Sequence, residues 1–249
     1  MSYTNSPLVT YTNITKNRTS PRKGTINTIT IHCFVGQVTA KQGCDYFATT
    51  QNQSSSNYVI GKDGSIGLSV PESDRAWTSG GKDSKGNIIR VNGISGADND
   101  HNAVTIEVAS DSSAPYKVTD AALNSLIKLC ADICERNNIK ELKWKNDKSL
   151  VGNINEQNMT VHQWFAIKSC PGEYLLSKHS YIAEEVNKLL KKEKEVVVNK
   201  EPSGYAKVSC EKAVKAGIFK GDSNGDFMWH NNLTRQDFCV IMDRMGLLK

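Results

Sequence analysis

The chain has 249 residues, of which 38% are apolar, and its formal net charge is +5. This length and composition suffice for one large core and a small second unit, whereas no apolar run approaches the ~20 residues that a membrane span requires. We therefore expect no membrane as a partner. Because lysine and arginine are spread along the chain rather than clustered with aromatic residues, we do not expect nucleic acid either.

Segments rich in β-branched residues predict strands. TINTITIHCF alternates with a period of two, which places Ile29 and Ile31 on one face of a strand and Thr30 and His32 on the other. A Lys-Asp-Gly turn between two apolar runs is typical of a hairpin. The predicted regions are a strand within residues 25–34, a hairpin at 56–70 and a strand at 102–110.

Two segments have the spacing of amphipathic helices. Residues 118–139 offer Thr119 or Asp120 as the helix cap and continue with apolar residues at helical spacing. A second helix is predicted over residues 173–195, where the sequence becomes increasingly charged. Strands that alternate with helices indicate an α/β fold.

The composition changes near residue 190. Residues 191–202, KKEKEVVVNKEP, have the charged composition of a linker. Residues 203–249 predict a helix, a glycine-rich turn and a second helix, which is too short a stretch for a large independent core. We therefore predict a large domain over residues 1–190, a linker over residues 191–202, and a small helical module over residues 203–249.

The segment MTVHQWFAIKSCPGEYL, residues 159–175, concentrates reactive side chains, because His162, Lys168 and Cys170 lie within nine residues. Zinc hydrolases commonly use three protein ligands and leave a fourth position for water. His32, at the end of a predicted strand, is the candidate third ligand. Two alternatives remain open at this point: Cys170 and His162 as a nucleophilic pair, and a turn whose polar side chains are unrelated.

Five segments occur in a suggestive order: TITIHCF, SSNYVIGKDGSI, RAWTSGG, AVTIEVAS and VHQWFAIKSCPGEYL. Together they resemble the zinc-dependent N-acetylmuramoyl-L-alanine amidases, whose fold is shared by phage lysozyme-type amidases and peptidoglycan recognition proteins. The similarity covers roughly residues 20–185. It implies that His32, His162 and Cys170 bind Zn²⁺ and that Lys168 is catalytic. It also implies a mixed β-sheet packed against helices, with a peptidoglycan groove over the metal.

The resemblance implies one more group, which transfers protons. Some members of the family use a tyrosine on the second strand, but alignment through the Asp-Gly turn puts Ser56 at that position and Tyr58 two residues later. Other members use a glutamate on a central strand, which Glu107 in TIEVAS matches. We assign proton transfer to Glu107, with Tyr58 as its rival. Ser56, Tyr58 and Trp77 are predicted to bind substrate in the groove.

The C-terminal segment resembles a single S-layer homology motif. The similarity rests on Tyr205 and on the segments AVKAGIFKGDSNGDF and LTRQDFCVIMDRMGLL. That family attaches proteins to anionic secondary polymers of Gram-positive cell walls, usually through three copies, whereas one copy is present here. A secondary wall polymer is therefore the second expected partner, beside peptidoglycan.

These features predict hydrolysis of the amide bond between N-acetylmuramic acid and L-alanine in bacterial peptidoglycan. The alternative function is non-catalytic peptidoglycan binding by the same fold, although members that only bind typically lack the cysteine ligand. The opening residues MSYTNSPLVTYTN have neither the charged nor the apolar part of a secretory signal. We therefore expect a protein made in the cytoplasm that reaches the wall as a released phage endolysin or as an autolysin exported by another route.

Overall fold

A computed structural model of the chain describes residues 3–198, 201–222 and 225–248. Part of the predicted linker and part of the predicted C-terminal module lie outside these ranges. The chain forms two compact units, Met1–Leu190 and Lys191–Lys249. Among the described residues, none of the helices combines the length and the apolar character needed to cross a membrane.

The elements fall into short strands and longer helices. The strands are β1 (Tyr11–Thr12), β2 (Arg18–Thr19), β3 (Thr28–Cys33), β4 (Tyr58–Ile60), β5 (Ile66–Leu68), β6 (Arg75–Ala76), β7 (Arg90–Val91), β8 (Ile94–Ser95), β9 (Ala103–Val108) and β10 (Met159–Val161). The helices are α1 (Ala40–Thr49), α2 (Gly96–Asn102), α3 (Asp120–Arg136), α4 (Gly172–Val198), α5 (Lys207–Lys215) and α6 (Arg235–Arg244). Two 3₁₀ turns lie at Lys148–Leu150 and His162–Trp164.

The first unit is built around a six-stranded mixed sheet. Its strand order is β1-β5-β4-β9-β3-β10. The β4–β5 hairpin is antiparallel, as predicted, and the other four neighbouring pairs are parallel. Parallel strands normally need cover on both faces, and helices supply it here. The predicted α/β fold with a mixed central sheet is confirmed.

One face of the sheet is apolar and is covered by α3 and α4. Ile31 and Ile106 project from the two central strands into a buried cluster that also contains Leu126 of α3 and Ile182 of α4. Thr119 caps α3, as predicted, because its side chain accepts a hydrogen bond from the backbone of Ala122. This layer fixes the sheet from one side.

The other face of the central strands is polar. Thr105, Thr30 and Thr160 stand side by side on β9, β3 and β10. Asn99 of α2 donates to the Thr30 hydroxyl at 3.0 Å and accepts from the Thr160 hydroxyl at 3.0 Å. Because side chains alternate along a strand, the next side chains on this face belong to residues two positions later. Those residues are Glu107, His32 and His162.

The helix α4 extends to Val198 and therefore enters the segment that was predicted as a linker. The second unit contains the two predicted helices, α5 and α6, and within the described residues neither of them buries a side chain. Its aromatic side chains contact one another, since the rings of Phe227 and Trp229 stack with centroids 5.2 Å apart.

Candidate metal centre and active site

The structure brings together the three predicted metal ligands. The ligand atoms of His32, His162 and Cys170 all lie within 4.8 Å of one another. Cys170 Sγ is 3.4 Å from His32 Nδ1. A tetrahedral zinc ion with a sulfur ligand at about 2.3 Å and a nitrogen ligand at about 2.0–2.1 Å holds those two atoms about 3.5 Å apart. The arrangement of the donor atoms therefore fits zinc.

Local structure fixes two of these ligands in one short loop. His162 directly follows β10, and Cys170 lies two residues before the start of α4. The backbone N–H of Gln163 donates to the carbonyl of Cys170 at 3.0 Å, which closes the loop. Gly172 has a φ of 81° and packs so closely on Tyr116 that a Cβ would lie 2.8 Å from its side chain. Glycine is therefore required where the loop turns into the helix.

Burial keeps both histidine ligands neutral. It lowers the pKa of His162 to about 4, and the positive charge of Lys168 acts in the same direction. Burial likewise holds the pKa of His32 well below its usual range. The Nε2 atom of His162 is buried and finds no hydrogen-bond partner among the described residues. Neutral imidazole is the form that binds a metal, so both rings are prepared for ligation at neutral pH.

Cys170 has a second thiol beside it, which the sequence analysis did not identify. Its side chain is hydrogen-bonded to Cys33, the residue after His32, and this bond together with burial raises the pKa of Cys170 in the metal-free protein. Zinc binding therefore requires loss of the thiol proton. No motif separates Cys33 from the other apolar-type residues of β3, so the sequence offered no signal for this contact.

Glu107 lies directly beside the first ligand. Parallel pairing of β3 and β9 aligns it with His32. Its Oε2 atom is buried and has no hydrogen-bond partner in the part of the chain that the structure describes. Burial, with a contribution from Cys33, raises the pKa of Glu107 well above its ordinary value. A carboxyl group in this state is suited to accepting and donating a proton near neutral pH.

Lys168 is exposed on the loop that carries the other two ligands. Its charge is close enough to lower the pKa of His162. An open cleft of about 610 Å³ adjoins this loop. Residues that line it include Ile89, Lys148, Gln163, Trp164, Ile167 and Lys168. The cleft thus offers both apolar and cationic surface next to the candidate metal centre.

Tyr58 does not reach this site, which corrects its prediction as a groove residue. It is fully buried, and its pairing with Ile106 places it on the face of the sheet opposite Glu107. Its hydroxyl donates to Glu72 at 2.5 Å and accepts from the backbone of Ser6 at 2.9 Å. Tyr58, the alternative to Glu107 for proton transfer, is therefore part of the core.

Ser56 is also fully buried, and its hydroxyl donates to the carbonyl of Thr105 at 2.9 Å. Its prediction as a substrate-binding residue is corrected in the same way, because it has no exposed surface with which to contact a substrate. Trp77 is half-buried, and its indole N–H donates to the Thr19 hydroxyl at 2.9 Å. Its part in substrate binding stays a prediction.

The chain is similar to known proteins. A family described as "N-acetylmuramoyl-L-alanine amidase" matches residues 22–173, which is more than half of the chain. The chain belongs to this amidase family. The predicted enzyme class and the predicted hydrolysis of peptidoglycan are thereby confirmed. No curated protein matches the sequence of the amidase.

Solved structures also resemble the amidase. A selenomethionine derivative of AmpD is 18% identical, and the match covers 74% of this chain and 99% of that one with a TM-score of 0.51. A mutant endolysin from Bacillus subtilis is 17% identical over 72% of this chain and 99% of its own, with a TM-score of 0.46. The endolysin LysCS from Clostridium intestinale, titled an N-acetylmuramoyl-L-alanine amidase, is 16% identical over 72% and 96%, with a TM-score of 0.44.

Proposed function

We propose that the amidase cleaves the bond between N-acetylmuramic acid and L-alanine with one zinc ion held by His32, His162 and Cys170. The observation that carries this proposal is the convergence of the three ligand atoms within 4.8 Å. Two imidazoles and one thiolate form a ligand set that zinc hydrolases use, with the remaining position left for water or substrate. When bound, zinc supplies Lewis-acid activation of a water molecule and of the scissile carbonyl.

Glu107 transfers the proton in this proposal. Its carboxylate accepts a proton from the attacking water and later donates it to the nitrogen of the departing L-alanine. Two observations support the role: Glu107 pairs with His32 across neighbouring strands, and its pKa is raised by burial. General acid–base catalysis of this kind contributes about 10²–10⁴-fold to a rate.

Lys168 stabilises the negative charge that develops on the carbonyl oxygen during attack. Its exposed position beside the cleft and its electrostatic effect on His162 support this role. A fixed group that stabilises such an oxyanion contributes about 10²–10³-fold to kcat. Trp77, which is half-buried, is proposed to bind the substrate.

Replacement of each ligand by alanine tests the metal centre. We expect His32→Ala, His162→Ala and Cys170→Ala to fold, to bind little zinc and to release no stem peptide from purified peptidoglycan. The controls are His101→Ala and Cys44→Ala, which change the same residue types outside the site and should keep both zinc and activity. Full activity in Cys170→Ala would contradict the assignment.

The same assay distinguishes the alternatives. If Cys170 were a nucleophile paired with His162, the wild-type amidase would remain active after its zinc had been removed by a chelator. If the protein only bound peptidoglycan, zinc-loaded protein would sediment with cell walls without releasing stem peptides. The presence of Cys170 favours the enzyme, because members of this fold that only bind typically lack that ligand.

We further propose that the amidase acts at the bacterial cell wall, and that its second unit binds an anionic secondary polymer there. The resemblance of residues 203–249 to an S-layer homology motif supports the second proposal. Exposed aromatic side chains are available for such contacts, since Tyr205 is 95% and Phe238 51% exposed. Purified wall polymer should therefore slow the migration of the full chain in affinity electrophoresis.

A further inference from the structure

One loop contacts both histidine ligands. The Ser79 hydroxyl lies 3.5 Å from His32 Nε2, on the side of the ring that faces away from Cys170. The backbone of Gly80 is hydrogen-bonded to the ring of His162, whose Nε2 atom is left without a partner among the residues described. The loop therefore contacts both rings and leaves one nitrogen of each directed toward the ligand cluster.

A single buried carboxylate fastens this loop. Oδ2 of Asp100 accepts hydrogen bonds from the backbone N–H of Thr78 at 3.0 Å and of Ser79 at 2.8 Å. Asp100 is only 1% exposed and belongs to α2. This helix packs tightly on the loop, because a Cβ on Gly96 would lie 2.0 Å from the carbonyl oxygen of Ser79.

The carboxylate is costly for the fold. An ionised group loses its hydration when it is buried, and Asp100 regains two backbone hydrogen bonds on one oxygen while its Oδ1 atom remains unpartnered within the described ranges. Asparagine or serine would satisfy backbone N–H groups at a lower desolvation cost. Because one oxygen of Asp100 accepts from two consecutive backbone N–H groups, it fixes the path of the loop at Thr78 and Ser79.

We propose that Asp100 is a positioning residue for the metal centre, which acts through Thr78 and Ser79 to hold the rings of His32 and His162 in the orientation that binds zinc. The inference rests on the proposed zinc site and adds a residue two contacts away from its histidine ligand. It assigns α2, a helix of seven residues, a role in the orientation of ligands that belong to β3 and to the loop after β10.

Zinc affinity, measured by competition with a chromophoric chelator, tests this role. Substitution of residues that orient metal ligands typically weakens metal binding by about 10–100-fold, and we expect that loss in Asp100→Ala. Asp100→Asn keeps an acceptor oxygen for the two N–H groups and should recover most of the affinity that Asp100→Ala loses. The visible spectrum of the Co²⁺-substituted protein should change in Asp100→Ala and return toward wild type in Asp100→Asn.

The matched control is Asp98→Ala, two residues earlier on the same helix. Asp98 caps α2 through Ser95 and pairs with Arg90 at 3.0 Å, so its loss weakens the helix without touching the loop. We expect unchanged zinc affinity in this variant. Equal losses in Asp98→Ala and Asp100→Ala would overturn the inference, because damage to α2 alone would then explain them.

Two further outcomes are decisive. Wild-type affinity and an unaltered cobalt spectrum in Asp100→Ala would overturn the inference and leave the zinc site intact. Wild-type protein that does not bind zinc would contradict the proposed function itself.

If Asp100→Ala fails to fold, Ser79→Ala removes only the hydroxyl that contacts His32. A several-fold weaker affinity in that variant supports the loop's role, and an unchanged affinity contradicts it.

Discussion

At the scale of single residues, Glu107 shows that a side chain suited to catalysis can lower the stability of the fold. Burial disfavours its charged form, and it is not proposed to bind the metal. Each unit by which a folded-state pKa exceeds the unfolded value costs about 1.4 kcal/mol of stability once the group must ionise. The amidase therefore retains at the end of β9 a side chain that the fold alone does not favour.

Glu107→Gln should stabilise the metal-free protein at neutral pH and abolish most of its activity when zinc is present. The pKa of Glu107 is raised in the folded state. Between the ordinary glutamate pKa of about 4.3 and that higher value, the folded protein therefore binds more protons than the unfolded chain. The free energy of unfolding consequently falls as pH rises through this window. Because glutamine does not titrate, the free energy of unfolding of Glu107→Gln should not show this fall.

Urea unfolding of chelator-treated wild-type and Glu107→Gln protein between pH 4 and 8 measures the effect. The two curves should coincide near pH 4 and separate as pH rises, with the variant more stable. Lys168→Ala is the matched comparison, since Lys168 is exposed and should lose kcat without a change in stability. A Glu107→Gln variant that is less stable at pH 7 would contradict the buried, partnerless state of the carboxyl group.

The sequence predicted the residues of the site better than their surroundings. His162, Lys168 and Cys170 share one short segment, and His32 ends a clearly alternating strand, so their proximity followed from local pattern and family resemblance. Tyr58 was misplaced because its face depends on how β4 pairs with β9, which no local pattern records. A shift of one residue exchanges the two faces of a strand.

At the scale of elements, α3 shows a local signal that the structure confirms. The hydroxyl of Thr119 donates to the carbonyl of Lys62 in the hairpin turn at 2.6 Å and accepts from the backbone of Ala122 at 3.1 Å. The cap therefore begins the helix and also joins it to the β4–β5 hairpin. Neither contact involves a residue of the candidate metal centre.

Thr119→Ala should lower the free energy of unfolding by about 0.5–2 kcal/mol, the usual effect of losing a helix cap. Zinc content and kcat should stay at the wild-type level, because no ligand belongs to α3 or the hairpin. Thr119→Ser keeps the acceptor and serves as the control. Chemical denaturation gives the first quantity, and a loss of zinc in Thr119→Ala would show that the cap influences the site.

The elements that the sequence analysis missed are short or weakly patterned. Among them are β10, with three residues, and α2, whose sequence GADNDHN has no apolar face. Both are held by tertiary contacts, such as the bonds from Asn99 to Thr30 and Thr160. These two elements also carry Asp100 and lead into His162, so the least predictable parts of the fold support the site.

At the scale of the whole molecule, the division at residue 190 allows the two units to be tested apart. Among the α4 residues whose side chains the structure describes, Leu190 is the last that belongs to the main core. A chain that ends at Val198 retains the entire helix, and we expect it to cleave soluble muropeptides at the wild-type rate. It should sediment less well with intact cell walls, because the proposed wall-binding unit is missing.

Cleavage rates and wall sedimentation, measured side by side on the full chain and the shortened one, check this expectation. The control is the full-length variant Cys239→Ala, which changes one exposed residue of the second unit and should behave like the wild type in both assays. Loss of activity on soluble muropeptides in the shortened chain would show that the second unit contributes to catalysis and that the proposed division is misplaced.

The parallel pairing of β3 with β9 has a consequence for how the enzyme should be prepared. His32 faces Glu107 across these strands, and the residues one position later are Cys33 and Val108. Suppose that a molecule refolds with both strands displaced by one residue. The thiol of Cys33 would then lie where the imidazole of His32 belongs, and the side chain of Val108 would lie where the carboxyl group of Glu107 belongs. Such a molecule would keep most of its helix signal in circular dichroism. Zinc bound per chain, rather than helix content, therefore measures the yield of correctly refolded amidase.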